Sequence, residues 1–327
     1  MKRISVVIPT YNEEKNIEVI YARIKELLSP LPYEWEIIFI DNCSLDASRE
    51  IIAKLCSLDR HVKSIFNVRN FGFIRSTFYG LTQATGDCAA LVNADMQDPP
   101  EVLLKFIKKW EAGAKIVVGI KNSSKENPVM YFLRACYYKV IRKISSIEHI
   151  EQFTGFGLYD KSFIKVLRQL DDPLPYLRGI VAELGFKIEK VYYEQNKRLY
   201  GKTHFNFYGL YDLAMLGITS YSKVVMRIAT ICGFILAGLS MLATFIILLL
   251  KIFYWDAFPL RTAPILMGIF FFGSVQLFFI GLVGEYILNI NVRVMKRPLV
   301  IEEKRINFTP EEYISSHEIK VEEINRI

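Results

Sequence analysis

The 327-residue chain almost lacks charge over two long stretches in its C-terminal third. Arg227 is the only charged residue from 224 to 250, and Glu285 is the only one from 262 to 288. A helix of such a length reaches about 40 Å, enough to cross a bilayer with some tilt. The alternative, a buried helix of a soluble domain, rarely stays apolar for so many turns. The two stretches therefore predict two transmembrane helices.

Other features are missing as well. The five cysteines show no metal-ligand spacing and fit a reduced compartment, where they simply pack. Met1-Lys2-Arg3 leads into a strand-like run with no cleavage site, so no signal peptide is predicted. The net charge is +7, yet no aromatic-basic motif typical of nucleic-acid binding is present. Because the basic residues gather near the apolar stretches, anionic lipid and phosphate are the expected partners, and nucleic acid is not.

Basic residues flank the apolar stretches unevenly. Lys223 and Arg227 precede or open the first stretch, and Arg293, Lys296 and Arg297 follow the second. The short connector between the stretches holds only two basic residues. The positive-inside rule therefore places both termini in the cytosol.

The first 120 residues alternate between strand-like and helix-like segments. Short apolar runs without polar alternation predict strands at 4–9, 36–40, 62–66, 88–93 and 115–119. Amphipathic segments predict helices at 13–28, 46–58, 75–84 and 99–110. Uninterrupted apolar strands are typical of a parallel sheet covered on both faces, so the pattern predicts a doubly wound α/β domain. Ligands of such sheets bind beyond the carboxyl ends of the strands.

Polar residues follow three of the predicted strands. The segments read Pro9-Thr10-Tyr11-Asn12-Glu13, Asp41-Asn42-Cys43-Ser44 and Asn93-Ala94-Asp95-Met96-Gln97. Tyr11 offers a ring for a base, and Glu13 and Asp41 can accept hydrogen bonds from a base or a ribose. Asp95 and Gln97 can hold a cation that bridges two phosphates. The structural alternatives are that Asn12 and Ser44 cap helices and that Tyr11 packs at an edge.

The next residues, Asp98-Pro99-Pro100-Glu101, have the order of a helix start. An aspartate at the N-cap, a proline at the first position and a glutamate at the third form a capping box. This order favours a structural role for Asp98.

Several strings in this order resemble glycosyltransferase family 2. They are VVIPTYNEEKNI (6–17), IDNCSLD (40–46), RNFG (69–72), ATGD (84–87) and NADMQDPPE (93–101). With the two apolar stretches and the GEY…KRPL segment (284–299), the chain is similar to polyisoprenyl-phosphate glycosyltransferases of the bacterial dolichol-phosphate mannose synthase type. The resemblance covers nearly all residues from 4 to 300.

The resemblance implies a GT-A (Rossmann-like) catalytic domain with a mostly parallel sheet in residues 1–203. Interfacial helices (204–223), two transmembrane helices (224–290) and a cytosolic tail (291–327) would follow. It also implies a nucleotide-sugar donor, with UDP ahead of GDP, the cofactor Mg²⁺ or Mn²⁺, and a polyprenyl phosphate acceptor such as undecaprenyl phosphate. The expected location is the bacterial inner membrane, with the catalytic domain in the cytosol, and a homo-oligomer is expected.

Carried over by position, the resemblance implies three sets of site residues. The nucleotide-binding set is Pro9, Tyr11, Glu13, Asp41, Asn42, Asn70, Lys121 and Arg134. The metal ligands are Asn93, Asp95 and Gln97. The catalytic set is Asp95 with Arg198 and Lys202, two residues of a basic loop that closes over the phosphates.

The chain departs from the family pattern at four places. Asn42-Cys43 stands where an aspartate and a glycine are common, and Asn93 stands where the metal motif usually has its first aspartate. An amide brings no negative charge, so we expect weak metal binding without the phosphates of the nucleotide. Phe73-Ile74 replaces a polar pair after RNFG, and Phe156 follows Thr154-Gly155 where many relatives have an aspartate.

The missing aspartate bears on proton transfer. A phosphate acceptor is already an anion at pH 7, so the reaction needs mainly charge neutralisation and alignment. Asp95, Asp98, Glu151 and Glu183 remain candidates for any base. The predicted reaction is an in-line displacement at the anomeric carbon with inversion. The alternative function is a catalytically weakened homologue that serves as a binding or scaffold subunit of a lipid-sugar flippase system.

Overall fold

The computed structural model describes residues 1–122, 150–196, scattered helical positions between 231 and 253, 262–295 and 297–312. The strands in these ranges are β1 (Arg3–Thr10), β2 (Glu34–Asp41), β3 (Val62–Asn67), β4 (Cys88–Leu91), β5 (Ile116–Lys121), β6 (Phe153–Asp160), β7 (Ile188–Tyr193) and β8 (Glu302–Ile306). The helices are α1 (Glu14–Leu28), α2 (Ser48–Leu58), α3 (Phe73–Gln83), α4 (Val102–Glu111), α5 (Lys161–Gln169), α6 (Leu177–Glu183) and α7 (Thr262–Val294). A short 3-10 turn covers Pro310–Glu312.

The described strands form one mixed sheet in the order β7-β5-β6-β4-β1-β2-β3-β8. Parallel pairing joins β4, β1, β2 and β3, as predicted for a doubly wound domain, and it also joins β5 to β7. β6 is antiparallel to its neighbours β4 and β5, and β8 is antiparallel to β3. The prediction of an α/β domain with a mostly parallel sheet is therefore confirmed. The two antiparallel strands come from segments where the hydrophobic pattern predicts no strand.

Helices cover both faces of the sheet, which explains why its central strands are mostly apolar on both sides. In β1, Val6 belongs to the core cluster that includes buried residues of α1, α2 and α4. The next residue, Val7, belongs to the cluster that includes residues of α3, α5 and α6. Gly80 allows α3 to approach the sheet, because a Cβ there would lie 2.7 Å from both Val7 Cγ1 and Ile40 Cδ1. With both faces closed, polar side chains collect at the ends of the strands.

The chain returns to the sheet after α7. Residues 302–306, which the sequence assigns to a C-terminal tail, form β8 along the outer edge of β3. The Arg305 guanidinium pairs with Glu302 and donates to Tyr79 Oη at 2.9 Å and to Gln83 Oε1 at 2.8 Å on α3. These contacts cover an edge strand that would otherwise expose unpaired backbone groups.

One helix in the described part of the chain is long and apolar enough to cross a membrane. It is α7, with an 18-residue window at Phe271–Leu288 that is not buried inside the structure. The first predicted transmembrane stretch, 224–250, lies mostly outside the described residues. Its described positions, like those at 252 and 253, are helical. Most large apolar side chains there are exposed: Ile231, Ile235, Leu239, Leu242, Phe245, Ile246, Leu249, Ile252 and Phe253.

Candidate active site

The carboxyl ends of the parallel strands meet at one edge of the sheet. Thr10 at the end of β1 is in register with Asp41 at the end of β2. On the other side of β1, Val7 is in register with Leu91, the last residue of β4. The segments that follow these strands therefore border one crevice, as expected for this topology. This arrangement brings the three predicted polar segments together.

Cross-loop hydrogen bonds join the segments after β1 and β2. The backbone N–H of Asn12 donates to Ser44 Oγ at 2.9 Å, and the N–H of Leu45 donates to Asn12 Oδ1 at 2.8 Å. The N–H of Glu13 donates to Ser48 Oγ at 2.9 Å. Asn12 and Ser44 are thus structural, although they tie two loops together rather than cap helices. Their bonds hold Tyr11 and Glu13 beside the end of β2.

Asp41 is fully buried at the end of β2. Its carboxylate accepts from the backbone N–H of Ser44 at 3.2 Å and pairs with Arg49 Nε at 3.3 Å. Burial raises the pKa of Asp41, while Ser44 and Arg49 oppose that shift. Arg49 also pairs with Glu303 of β8, at 2.6 Å, and lies over the ring of Phe66. Asp41 is therefore a desolvated acceptor with a fixed orientation, and the C-terminal strand supports it through Arg49.

Asn42 has its side-chain amide engaged by the segment that follows β3. Its Nδ2 donates to Asn70 Oδ1 at 2.6 Å. Its Oδ1 accepts from the N–H of Phe71 at 2.9 Å and from Asn67 Nδ2 at 3.2 Å. An aspartate at position 42 would lose the donation to Asn70, whose Oδ1 also accepts from the N–H of Gly72 at 2.8 Å. The structure thus gives Asn42 a scaffolding reason to be an amide.

Cys43 adopts a positive φ of 63°. Only glycine takes this left-handed conformation without a steric cost, and other residues pay about 1–2 kcal/mol. This conformation explains why a glycine is common at this place in similar sequences. Cys43 adopts it at the cost of local strain.

Asp98 lies buried between the segment after β4 and the end of β7. Its Oδ2 accepts from Asn93 Nδ2 at 2.8 Å, and its Oδ1 accepts from the Tyr193 hydroxyl at 2.5 Å. Burial is the main cause that raises the pKa of Tyr193, and the neighbouring Asp98 carboxylate raises it further. The predicted capping box does not form, because α4 begins at Val102 and its N-terminus has no side-chain cap. Asp98 is structural for a different reason: it holds Asn93 in place.

Asp95 and Gln97 lie in the turn between the end of β4 and Asp98. Both are partly buried, and the N–H of Gln97 donates to Asp95 Oδ1 at 3.2 Å. Met96 between them adopts a positive φ of 58°. The Gln97 carbonyl accepts from the N–H of Asn196 at 2.9 Å, which anchors the chain just before Arg198. No group of three or more His, Cys, Asp or Glu residues that could hold a metal occurs within the ranges described above.

The remaining predicted residues fall into two groups. Pro9 is partly exposed in β1, and Lys121 is partly exposed at the end of β5, in register with Tyr193. Both therefore lie toward the same edge of the sheet as Asp41. Arg134, Arg198 and Lys202 lie outside the described residues.

Residues 5–168 match the model of the family described as "Glycosyl transferase family 2". This chain belongs to glycosyl transferase family 2. The family membership predicted from the sequence motifs is thus confirmed, and the chain is a glycosyltransferase.

Several curated glycosyltransferases match nearly the whole of this chain. The SfII prophage-derived bactoprenol glucosyl transferase of Shigella flexneri is 34% identical over 304 residues, which are 92% of this chain and 98% of that protein. The prophage bactoprenol glucosyl transferase homolog of Escherichia coli K12 is 34% identical over 301 residues, 91% of this chain and 98% of the relative. The glycosyltransferase YkcC of Bacillus subtilis is 32% identical over 301 residues, 92% and 93% of the two chains.

In this glycosyl transferase family 2 chain, the structure also shows residues that support the predicted site segments and for which the sequence carries no signal. Arg49 and Glu303 support Asp41 from α2 and β8, and Tyr193 supports Asp98 from β7. Their partners are distant along the chain, so only the fold brings them together. A lone arginine on a helix or a tyrosine at the end of a strand has no pattern that marks it as part of a site.

Proposed function

We propose that this glycosyltransferase moves a sugar from a nucleotide-sugar donor to a polyprenyl phosphate at the cytosolic face of a membrane. The observation that supports this most is the placement of Asp41, Asp95 and Gln97 at one sheet edge, with Asn196 bonded to Gln97 just before the basic segment. Two relatives that match almost the full chain are named for transfer of glucose to bactoprenol, a lipid carrier. We extend the lipid acceptor, as undecaprenyl phosphate, to this chain on that basis.

For the donor, we assign the nucleoside to the loops after β1 and β2. Tyr11 offers an aromatic face, while Glu13 and Asp41 accept hydrogen bonds. Pro9, Asn42, Asn70, Lys121 and Arg134 complete the proposed set. Asn42 and Asn70 act there chiefly as scaffold, because their amides bond to each other. We propose a UDP-sugar ahead of a GDP-sugar.

For the cation, Asn93, Asp95 and Gln97 provide hard oxygen ligands that fit Mg²⁺ or Mn²⁺. Asn93 uses its Nδ2 toward Asp98, so its amide oxygen is not consumed by that bond. With one carboxylate and two amides, this set depends on the donor diphosphate for further ligands. When bound there, the cation would offset charge on the leaving nucleoside diphosphate.

For the reaction, an acceptor phosphate oxygen attacks the anomeric carbon in line and the nucleoside diphosphate leaves, so a single displacement inverts that centre. The acceptor oxygen is already anionic and needs no strong base. Both oxygens of Asp98 accept hydrogen bonds in the interior, and we assign no proton transfer to it. Arg198 and Lys202 would neutralise the phosphates.

For the location, we propose two transmembrane helices in the bacterial inner membrane, interfacial helices at 204–223 and both termini in the cytosol. Support comes from the exposed apolar window of α7 and from the exposed apolar helical positions between 231 and 253. Self-association and a flippase partner stay predictions.

The test is an assay of the purified protein with radiolabelled nucleotide sugars, Mg²⁺ or Mn²⁺, and undecaprenyl phosphate. We expect one donor to yield a lipid-linked sugar, and Arg198→Ala or Lys202→Ala to raise the KM for donor or acceptor at least tenfold. Absence of product with every donor would instead favour the scaffold alternative. The scaffold alternative draws on the two asparagines, Asn42 and Asn93, that replace common aspartates. Each of them donates a hydrogen bond that an aspartate could not make, so their presence does not by itself indicate lost activity.

A further inference from the structure

Exposed apolar side chains gather at the mouth of the crevice, where β3 ends and β8 begins. Val68 follows β3, Phe73 opens α3 and Ile301 precedes β8, and their exposed fractions are 44%, 38% and 52%. The N–H of Val68 donates to the Ile301 carbonyl at 3.1 Å, and Asn70, between Val68 and Phe73, bonds to Asn42. We call Val68, Phe73 and Ile301 the rim patch. Exposed apolar patches rimmed by polar residues mark surfaces that contact a partner or a membrane.

Three arginines, which we call the arginine cluster, lie beside the rim patch: Arg69, Arg75 and Arg297. Arg69 follows Val68 directly, and its guanidinium carbon lies 4.2 Å from the centre of the Phe71 ring. Burial, and then the charges of Arg69 and Arg297, lower the pKa of Arg75, so both groups are close enough to repel Arg75. An anion bound among the three would relieve that repulsion.

No carboxylate in the described ranges pairs with the arginine cluster. Glu302 and Glu303 follow Ile301 directly, but they pair with Arg305 and Arg49. The described residues thus leave the positive charge at this place without a matching negative charge, which favours an anionic ligand.

The end of the exposed apolar helix α7 is fixed beside this surface. Residues 295–301 join Val294, the last residue of α7, to β8. In that link, Leu299 packs against the core cluster that includes residues of α3, so the link is seated on the catalytic domain. Only residues 289–294, about 9 Å of helix, separate the apolar window Phe271–Leu288 from the end of α7. A bilayer that holds this window would therefore meet the rim patch and the arginine cluster.

We propose that the rim patch and the arginine cluster dock on anionic phospholipids of the bilayer that holds α7. The apolar side chains enter the boundary between headgroups and acyl chains, and the arginines bind the lipid phosphates. The mouth of the crevice then lies against the membrane surface. A second copy of the chain fits less well, because a two-fold contact through this face would set arginine against arginine. The assignment rests on the proposed function, since it needs α7 to span a membrane.

The first experiment uses a tryptophan as a reporter in the rim patch. Phe73→Trp and the wild type, both full length, are placed without substrates in nanodiscs of phosphatidylglycerol and phosphatidylcholine, the latter with brominated acyl chains. The emission that Phe73→Trp adds to the wild type should fall by at least half relative to discs without bromine. An absence of quenching would overturn the proposal.

Leu58→Trp is the matched control for this reporter. Leu58 is 72% exposed at the end of α2, near the amino end of β3 and so at the opposite edge of the sheet. The emission added by Leu58→Trp should be the same with and without bromine. Equal quenching of the two reporters would show that the rim patch has no special contact with the bilayer, and the proposal would fail.

The second experiment tests the role of charge. Added to Phe73→Trp, the change Arg69→Gln or Arg297→Gln should lower the quenching at least twofold in discs that contain phosphatidylglycerol. Arg60→Gln, at an exposed arginine after α2, should leave the quenching unchanged. If the two cluster variants are quenched as fully as their parent, or if discs without phosphatidylglycerol give the same quenching, the assignment to anionic lipid is wrong.

Two further outcomes separate the occupants and the functions. If Phe73→Trp is shielded from iodide in water yet is not quenched by brominated lipid, a second copy of the chain covers the patch and the proposal fails. If Phe73→Trp is not quenched while the wild type still makes a lipid-linked sugar, the docking surface fails and the proposed function stands. Quenching in a protein that transfers no sugar would support the docking surface and refute the transfer.

Discussion

Restoring the missing metal-motif aspartate, by Asn93→Asp, should destabilise the protein. In the structure, Asn93 Nδ2 donates to Asp98 Oδ2 at 2.8 Å, and Asp98 is 1% exposed. The substitution replaces this donor with a second carboxylate. Two unit charges about 4 Å apart repel by about 4 kcal/mol at an effective dielectric constant of about 20. We therefore expect a loss of about 3–4 kcal/mol in unfolding free energy near pH 8.

The penalty should depend on pH because two adjacent carboxylates relieve their repulsion by sharing a proton. Near pH 4 the variant should therefore approach the wild type in stability. Urea denaturation in detergent at both pH values measures the difference. The double variant Asn93→Asp/Asp98→Asn exchanges amide and carboxylate, and it should recover most of the loss at pH 8. Wild-type stability of the single variant at pH 8 would refute the argument that Asn93 is matched to Asp98.

Three further predictions concern single residues of the crevice. Asp95→Ala should abolish transfer while circular dichroism and Tm stay unchanged, and near-normal turnover would contradict its role at the cation. Cys43→Gly should raise the unfolding free energy by about 1 kcal/mol because it relieves the positive φ; a lower Tm would argue against strain there. Burial raises the pKa of Asp41 above its unfolded value, so ionising this carboxyl costs stability as pH rises through the folded pKa. Relative to Asp41→Asn, the wild type should thus lose stability as the pH rises from about 4, the usual pKa of an aspartate, and a pH-independent difference in Tm would contradict this.

The link between β8 and Asp41 gives the C-terminal segment a role in the site. Glu303 of β8 holds Arg49, and Arg49 holds Asp41. Glu303 is half exposed, so its ion pair alone contributes little to stability. Its effect is to orient a guanidinium beside a buried carboxylate. The chain thus ties the segment after the apolar helix to the proposed nucleoside site.

The sequence by itself determined the α/β class, the positions of the first five strands and the family. Apolar runs of strand length mark buried parallel strands whatever their partners, and the motif strings occur in a fixed order. The polar segments after β1, β2 and β4 were also predicted to meet, because parallel strands place their carboxyl ends at one edge. These features depend on local pattern and on a topological rule.

Only the tertiary structure decided what individual polar residues do. Asp98 has the local order of a helix cap, yet its carboxylate bonds to Asn93 and to Tyr193. By its sequence alone, Asn42 is only a departure from an acidic motif. In the structure, its Nδ2 donates to Asn70 in the segment after β3, and a carboxylate could not make that bond. In both cases the deciding partner is placed by the packing of the sheet. Hydrogen-bond partners that are distant along the chain leave no periodic trace, so the sequence placed these residues at the site and the fold determined their function there.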